Sequence, residues 1–167
     1  MKAHTLSVLV ENRAGVLSRV SGLFSRRGFN IESLAVGICE EPGMSRITIV
    51  CIGDDAQIEQ VMKQLNKLID VVKVSDITEN ERVERELALI KVAADPGTGR
   101  AEVMQLATIF RAQIIDVGAK TVTLSVAGDT EKIDALEKLL RQYGVKELVR
   151  TGKIAMLRGA KTVKSAK

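Results

Sequence analysis

The sequence is short of the residues on which most chemistry depends. Among 167 residues there are three Phe, one Tyr, no Trp, one His, two Cys and two Pro. With aromatics at 2%, the cores must be built from Leu, Ile and Val, and stacking platforms for bases or sugars are not expected. Cys39 and Cys51 fall in segments that read as strands, without the close Cys or His spacing of a metal or redox site. Both are expected to be reduced core thiols of a cytoplasmic protein. His4, near the chain start, is expected to be a solvated side chain and not a base. No Walker-type loop, dinucleotide fingerprint or Ser-centred nucleophile turn occurs. No run of about 18 apolar residues is present, and Met1-Lys2-Ala3-His4-Thr5 leads straight into an alternating segment, so neither a membrane span nor an export signal is expected. Catalysis by this chain alone is not expected.

What is present is ordinary globular material: 46% hydrophobic residues, 28% charged residues and a mean hydropathy of +0.09. The length suits two small domains of about 80 residues each. The net charge of +4 is local. Six basic residues and no acidic one follow Glu147: Arg150, Lys153, Arg158, Lys161, Lys164 and Lys167. Without them, 19 of the 25 basic residues remain against 21 acidic ones, so the basicity belongs to a tail that reads as a solvated terminus and not as a nucleic-acid surface.

Periodicity gives the same element order twice. His4 to Val10 alternates as a strand, and Val16, Leu17, Val20, Leu23 and Phe24 then mark one face of a helix that Arg26-Arg27-Gly28 closes. Phe29 to Cys39 and Arg46 to Ile52 read as a hairpin around Glu41-Pro42-Gly43. Gly53-Asp54-Asp55 caps a second helix with Ile58, Val61, Met62, Leu65 and Leu68 inward, and Val71 to Val74 closes the unit. The second half repeats this with a strand over 86–93, a helix presenting Val103, Leu106, Ala107 and Phe110, a hairpin of 114–117 and 121–126, a helix presenting Ile133, Leu136, Leu139 and Leu140, and a last strand from Val145 that extends at most to Leu157. Gly53-Asp54, Ile58, Val61 and Leu65 recur as Gly128-Asp129, Ile133, Leu136 and Leu140. The fold class is α+β: two ferredoxin-like βαββαβ domains in tandem, each an antiparallel sheet with helices on one face. The boundaries are 1–77, a polar linker at 78–85, 86–158, and a basic tail at 159–167.

Two loops carry the candidate binding residues. Ala14-Gly15-Val16-Leu17 places small residues where the first free N–H groups of a helix emerge, an end that attracts carboxylates, with the Asn12 amide beside it. Asn30, at the opening of the second strand, is a poor strand former that can serve polar recognition. Either loop read alone is also ordinary turn and capping chemistry.

Longer stretches add to this. Glu11-Asn12-Arg13-Ala14-Gly15-Val16-Leu17-Ser18-Arg19-Val20 and Gly22-Leu23-Phe24-Ser25-Arg26-Arg27-Gly28-Phe29-Asn30-Ile31-Glu32-Ser33-Leu34 resemble the small regulatory subunit of acetohydroxyacid (acetolactate) synthase. So do Ser45 to Ile49, Lys63 to Leu68, Val83 to Val92 and Ile109 to Val117, in the family's order. The resemblance implies an N-terminal ACT domain that pairs side by side with a second copy, and a C-terminal ferredoxin-like domain. It implies valine as an allosteric ligand at the paired interface, held by Asn12, Ala14, Gly15, Val16 and Leu17 of one chain and Asn30 and Ile31 of the other. It further implies a catalytic subunit as partner, which forms acetolactate from pyruvate and carries thiamine diphosphate, magnesium and FAD, none of them expected on this chain. The role implied is activation of that subunit with valine feedback in branched-chain amino acid biosynthesis. The alternative is an ACT-type sensor regulating another metabolic enzyme. An RNA-binding module of the same element order would need aromatics on its central strands, which Thr5 to Val10 and Arg46 to Ile52 lack. An acylphosphatase-like enzyme is the remaining relative of that topology.

Overall fold

The computed structural model describes residues 1–164. The chain divides into two units, Glu84–Gly152 and a first unit that joins Met1–Val83 to the segment beginning at Lys153.

The first unit is built from β1 (Lys2–Glu11), α1 (Val16–Arg26), β2 (Ile31–Ile38), β3 (Met44–Gly53), α2 (Asp55–Leu65) and β4 (Val71–Asp76). Its antiparallel sheet runs β2-β3-β1-β4, so β2 is an edge strand. Alternation on β1 sends Leu6, Val8 and Val10 against Val16, Val20 and Phe24 of α1 and Ile58, Val61 and Leu65 of α2. The α2 start is a complete capping box: Asp54 accepts from the Gln57 N–H while the Gln57 side chain accepts from the Asp54 N–H.

The second unit repeats the order in β5 (Arg82–Ala93), α3 (Thr98–Ile109), β6 (Gln113–Val117), β7 (Thr121–Gly128), α4 (Thr130–Leu140) and β8 (Val145–Arg150), with its sheet running β6-β7-β5-β8. Ala88, Ile90 and Val92 of β5 pack with Val122, Leu124 and Val126 of β7 against Val103 and Ala107 of α3 and Ile133, Leu136 and Leu140 of α4. Asp129 caps α4 by accepting from the Lys132 N–H, the counterpart of Asp54. Both ferredoxin-like units are therefore present as expected.

The boundaries differ from the sequence reading. Arg82–Arg85, assigned to a linker for their polarity, already belong to β5. The final strand stops at Arg150, and after Gly152, at φ +82°, a separate strand β9 (Ile154–Leu157) lies against β1. By its packing, the segment from Lys153 groups with the first unit. The cations called a solvated tail are partly structural: Arg150 pairs with Glu86 and Asp134, and the Arg158 N–H donates to the Glu81 carbonyl. Lys167, the last of them, lies outside the described residues. Among the described residues no helix is long and apolar enough to cross a membrane.

Candidate effector site

The loop between β1 and α1 is fastened at its base and open at its tip. The Glu11 N–H donates to the Asp70 carbonyl (2.8 Å), Asn12 N–H to Gly43 (2.8 Å) and Arg13 N–H to Glu11 (2.9 Å). The chain then turns at Gly15, whose φ of +84° is the left-handed region where glycine carries no steric cost. Gly15 is the N-cap of α1, and it has no side chain to satisfy the helix's first donors. The first turn holds no acidic residue, and the Leu17 and Ser18 N–H groups have no partner among the described residues. Val16 turns into the core at 4% exposure while Ala14, Gly15 and Leu17 stay open. The Asn12 amide is exposed beside them and is unbonded among the described residues. Free donors at a helix start, a small apolar lining and one amide are complementary to an α-carboxylate with a short aliphatic group.

Sequence reasoning missed the charge beside this loop. Arg19 folds back from the first turn, its guanidinium donating to the buried Asp70 carboxylate through Nε (2.9 Å) and Nη2. A Cβ on Gly15 would lie 3.1 Å from Arg19 Nη1, so the guanidinium closes one side of the turn. A cation in a first turn opposes the helix dipole, and that was the available signal that tertiary structure holds it there.

Asn30 and Ile31 occupy the approach to β2. Asn30 is exposed, with its amide donating 2.7 Å to Glu32, and Ile31 is half-buried against the first core. The structure does not bring these two residues to the α1 loop within one chain. Ile31 pairs with Cys51, which pairs with His4, whereas Glu11 at the loop end pairs with Met44. His4 and Glu11 stand seven residues apart on β1, about 23 Å along a strand.

Two expectations fail in this sheet, one at each end. His4 is buried, at 2% exposure: its Nδ1 lies 2.8 Å from Asp76, while its Nε2 makes no hydrogen bond among the described residues. Asp76 also accepts from the Thr78 N–H (2.9 Å) and hydroxyl. Burial raises the Asp76 carboxyl, yet these Thr78 bonds and His4 together hold it below its ordinary value. Cys51 is a core thiol, pushed up to about 11 by burial with Asp76 adding to the shift, but Cys39 lies just beyond β2 and is only half-buried.

Known proteins resemble this chain over nearly its whole length. Residues 6–73 match the model for an AHAS small subunit-like ACT domain, and residues 85–159 match that for the small subunit of acetolactate synthase. A probable acetolactate synthase small subunit of Archaeoglobus fulgidus is 59% identical over 158 residues, covering 95% of this chain and 98% of that one. The chain belongs to the acetolactate synthase small-subunit family. The Mycolicibacterium smegmatis member is 49% identical over 164 residues, covering 98% of this chain and 96% of that one. The crystal structure of the Thermotoga maritima small subunit superposes with a TM-score of 0.87 at 46% identity, covering 96% of this chain and all of that one. As a family member the chain is a regulatory subunit whose partner is a catalytic subunit, and its first unit is an ACT domain.

Proposed function

We propose that this chain activates the catalytic subunit of acetolactate synthase and confers valine feedback on it, with valine bound between the ACT domains of a homodimer in the cytoplasm. Thiamine diphosphate, magnesium and FAD belong to the catalytic partner in this reading, and the present chain contributes no reacting group. One observation carries it: the two halves of the site lie at opposite ends of one sheet, while β2 is the sheet's edge. Antiparallel pairing of β2 with β2 of a second copy sets the Ile31 end of one strand beside the Ile38 end of the other. The exposed Val36 and Ile38 on that edge support such a pairing. Asn30 and Ile31 of one protomer then approach Asn12, Ala14, Gly15, Val16 and Leu17 of its partner. The ligand's carboxylate meets the open α1 start, and its isopropyl group meets the small apolar lining.

Titration calorimetry of the purified chain with valine, leucine and isoleucine tests this, with Gly15→Asp as control. A side chain at position 15 would set its Cβ 3.1 Å from Arg19 Nη1 at a φ of +84°, and an Asp there would add a negative charge beside the open α1 start. The expected outcome is valine heat in the wild type, at least tenfold weaker affinity in Gly15→Asp, and retained activation of the catalytic subunit by both. Unchanged valine inhibition in Gly15→Asp refutes the site.

A further inference from the structure

The effector strand is joined to the segment through which the chain leaves its second unit. Between Ile31 and Ser33 the register of β2 shifts: Ile31 pairs with Cys51 and Ser33 with Val50, so Glu32 is an extra residue in a bulge. Bulged residues are less tied to the ladder than their neighbours and commonly re-aim a side chain next to a site. Here the Glu32 carboxylate is held by the amide of Asn30, one of the proposed effector residues (2.7 Å). The next residue, Ser33, accepts at its hydroxyl from the backbone N–H of Lys153 (2.9 Å), 120 residues along the chain.

Lys153 is the first residue after the second unit, following Gly152 in its left-handed turn. From there the chain runs back along the first unit: the Arg158 N–H donates to the Glu81 carbonyl (3.0 Å), and Arg46 Nη1 donates to the Val163 carbonyl (2.7 Å). A segment fastened at both ends passes on a displacement of either end and does not absorb it.

We propose that Asn30, the Glu32 bulge, Ser33 and the Lys153 N–H form the relay by which effector occupancy is transmitted, through the Gly152–Lys153 peptide, to the second unit. The relay rests on the effector reading given above. A ligand that engages the Asn30 amide removes the donor holding Glu32, frees the bulge, and shifts the Ser33 hydroxyl on which Lys153 is anchored. Ser33 is thus a positioning residue that touches no ligand. The two-arrangement element is the bulge, and the coupling it carries runs in both directions.

The test uses the full chain reconstituted with the catalytic subunit, comparing wild type, Ser33→Ala and Ser33→Thr. Valine binding to the small subunit is read by calorimetry, valine inhibition and activation by the rate of acetolactate formation, and the anchor by hydrogen exchange at the Lys153 amide. Ser33→Ala is expected to bind valine within about twofold of wild type and to activate normally, while Lys153 exchanges faster. The valine needed for half-inhibition should rise about three- to tenfold, the range one hydrogen bond supports. Ser33→Thr, which keeps the hydroxyl, should restore both the exchange and the inhibition. An inhibition curve identical to wild type in Ser33→Ala overturns the relay, as does an unchanged Lys153 exchange rate. Loss of valine binding in Ser33→Ala also overturns it, since Ser33 would then belong to the site itself. Absence of valine binding in the wild type is a separate result: it refutes the effector reading, and the relay with it.

Discussion

The two units share an element order and even a defect, yet they treat the second face of their sheets in opposite ways. In both, the central strand slips register at the same place, between Leu9 and Val10 in the first and between Lys91 and Val92 in the second. With Leu6, Val8 and Val10 set against Ala88, Ile90 and Val92, the outward residues Thr5, Ser7 and Leu9 correspond to Leu87, Leu89 and Lys91. The hydroxyl residues Thr5 and Ser7 are 3% and 2% exposed, whereas Leu87 and Leu89 are 40% and 38% exposed. Polarity of the face does not decide which is covered. Connectivity does: β9 and the chain around it lie against β1, and the buried polar groups find partners, the Thr5 N–H donating to Thr78 Oγ1 and Ser7 accepting from Arg46.

The comparison can be broken most forcefully at the cores. Phe24 is fully buried in the first unit, whereas Phe110, its counterpart in sequence, is only half-buried at the end of α3. Phe24→Ala should cost the first unit about 4 kcal/mol, and Phe110→Ala about half of that in the second. Urea unfolding separates the two, because Tyr143, the only Tyr, lies in the second unit and its fluorescence reports that unit, while far-ultraviolet dichroism reports both. Equal losses would mean that the burial difference does not govern stability.

The outer faces offer a sharper and smaller contrast. Leu9 is 0% exposed, so Leu9→Ser leaves a hole and a buried hydroxyl and should cost about 3 kcal/mol. Leu89→Ser, on the open face, should change the second unit's urea midpoint by less than about 1 kcal/mol equivalent. A large effect at Leu89 would show that its face is covered in solution.

The smallest expected effect is electrostatic and confined to the first unit. Asp76 is held below its ordinary 3.8 in the folded state. Its stabilisation is therefore complete above that value and is lost as the pH falls through the lower folded one. The first unit's urea midpoint should drop on acidification below about pH 4, and Asp76→Asn should flatten that part of the profile. An unchanged acid limb in Asp76→Asn would remove the carboxylate from the account.

Much of the fold was legible because its signals are local. The spacing of Val16, Val20, Leu23 and Phe24 and the capping Asp54 and Asp129 need only a window of a dozen residues. What escaped was paired at long range. Ile154 to Leu157 are too few to declare a partner, and strand β9 joins a unit that otherwise ends 70 residues earlier. Arg82 to Arg85 hide a strand behind charge. His4 looked solvated because its hydrogen-bond partner, Asp76, is 72 residues away. At the candidate site, Gly15 and Asn12 were readable as an open helix start, but the Arg19–Asp70 pair beside them spans 51 residues and leaves no local trace beyond a cation in an unfavourable turn.

The division of the proposed effector residues between the two ends of one sheet has a consequence in mass action. If each complete site draws on two protomers, a dimer holds two such sites and a monomer holds none. Ligand and protein concentration then become exchangeable: valine should promote self-association, and dilution should weaken apparent affinity. A subunit made in small amounts would thereby be desensitised to end product without any change in its binding residues.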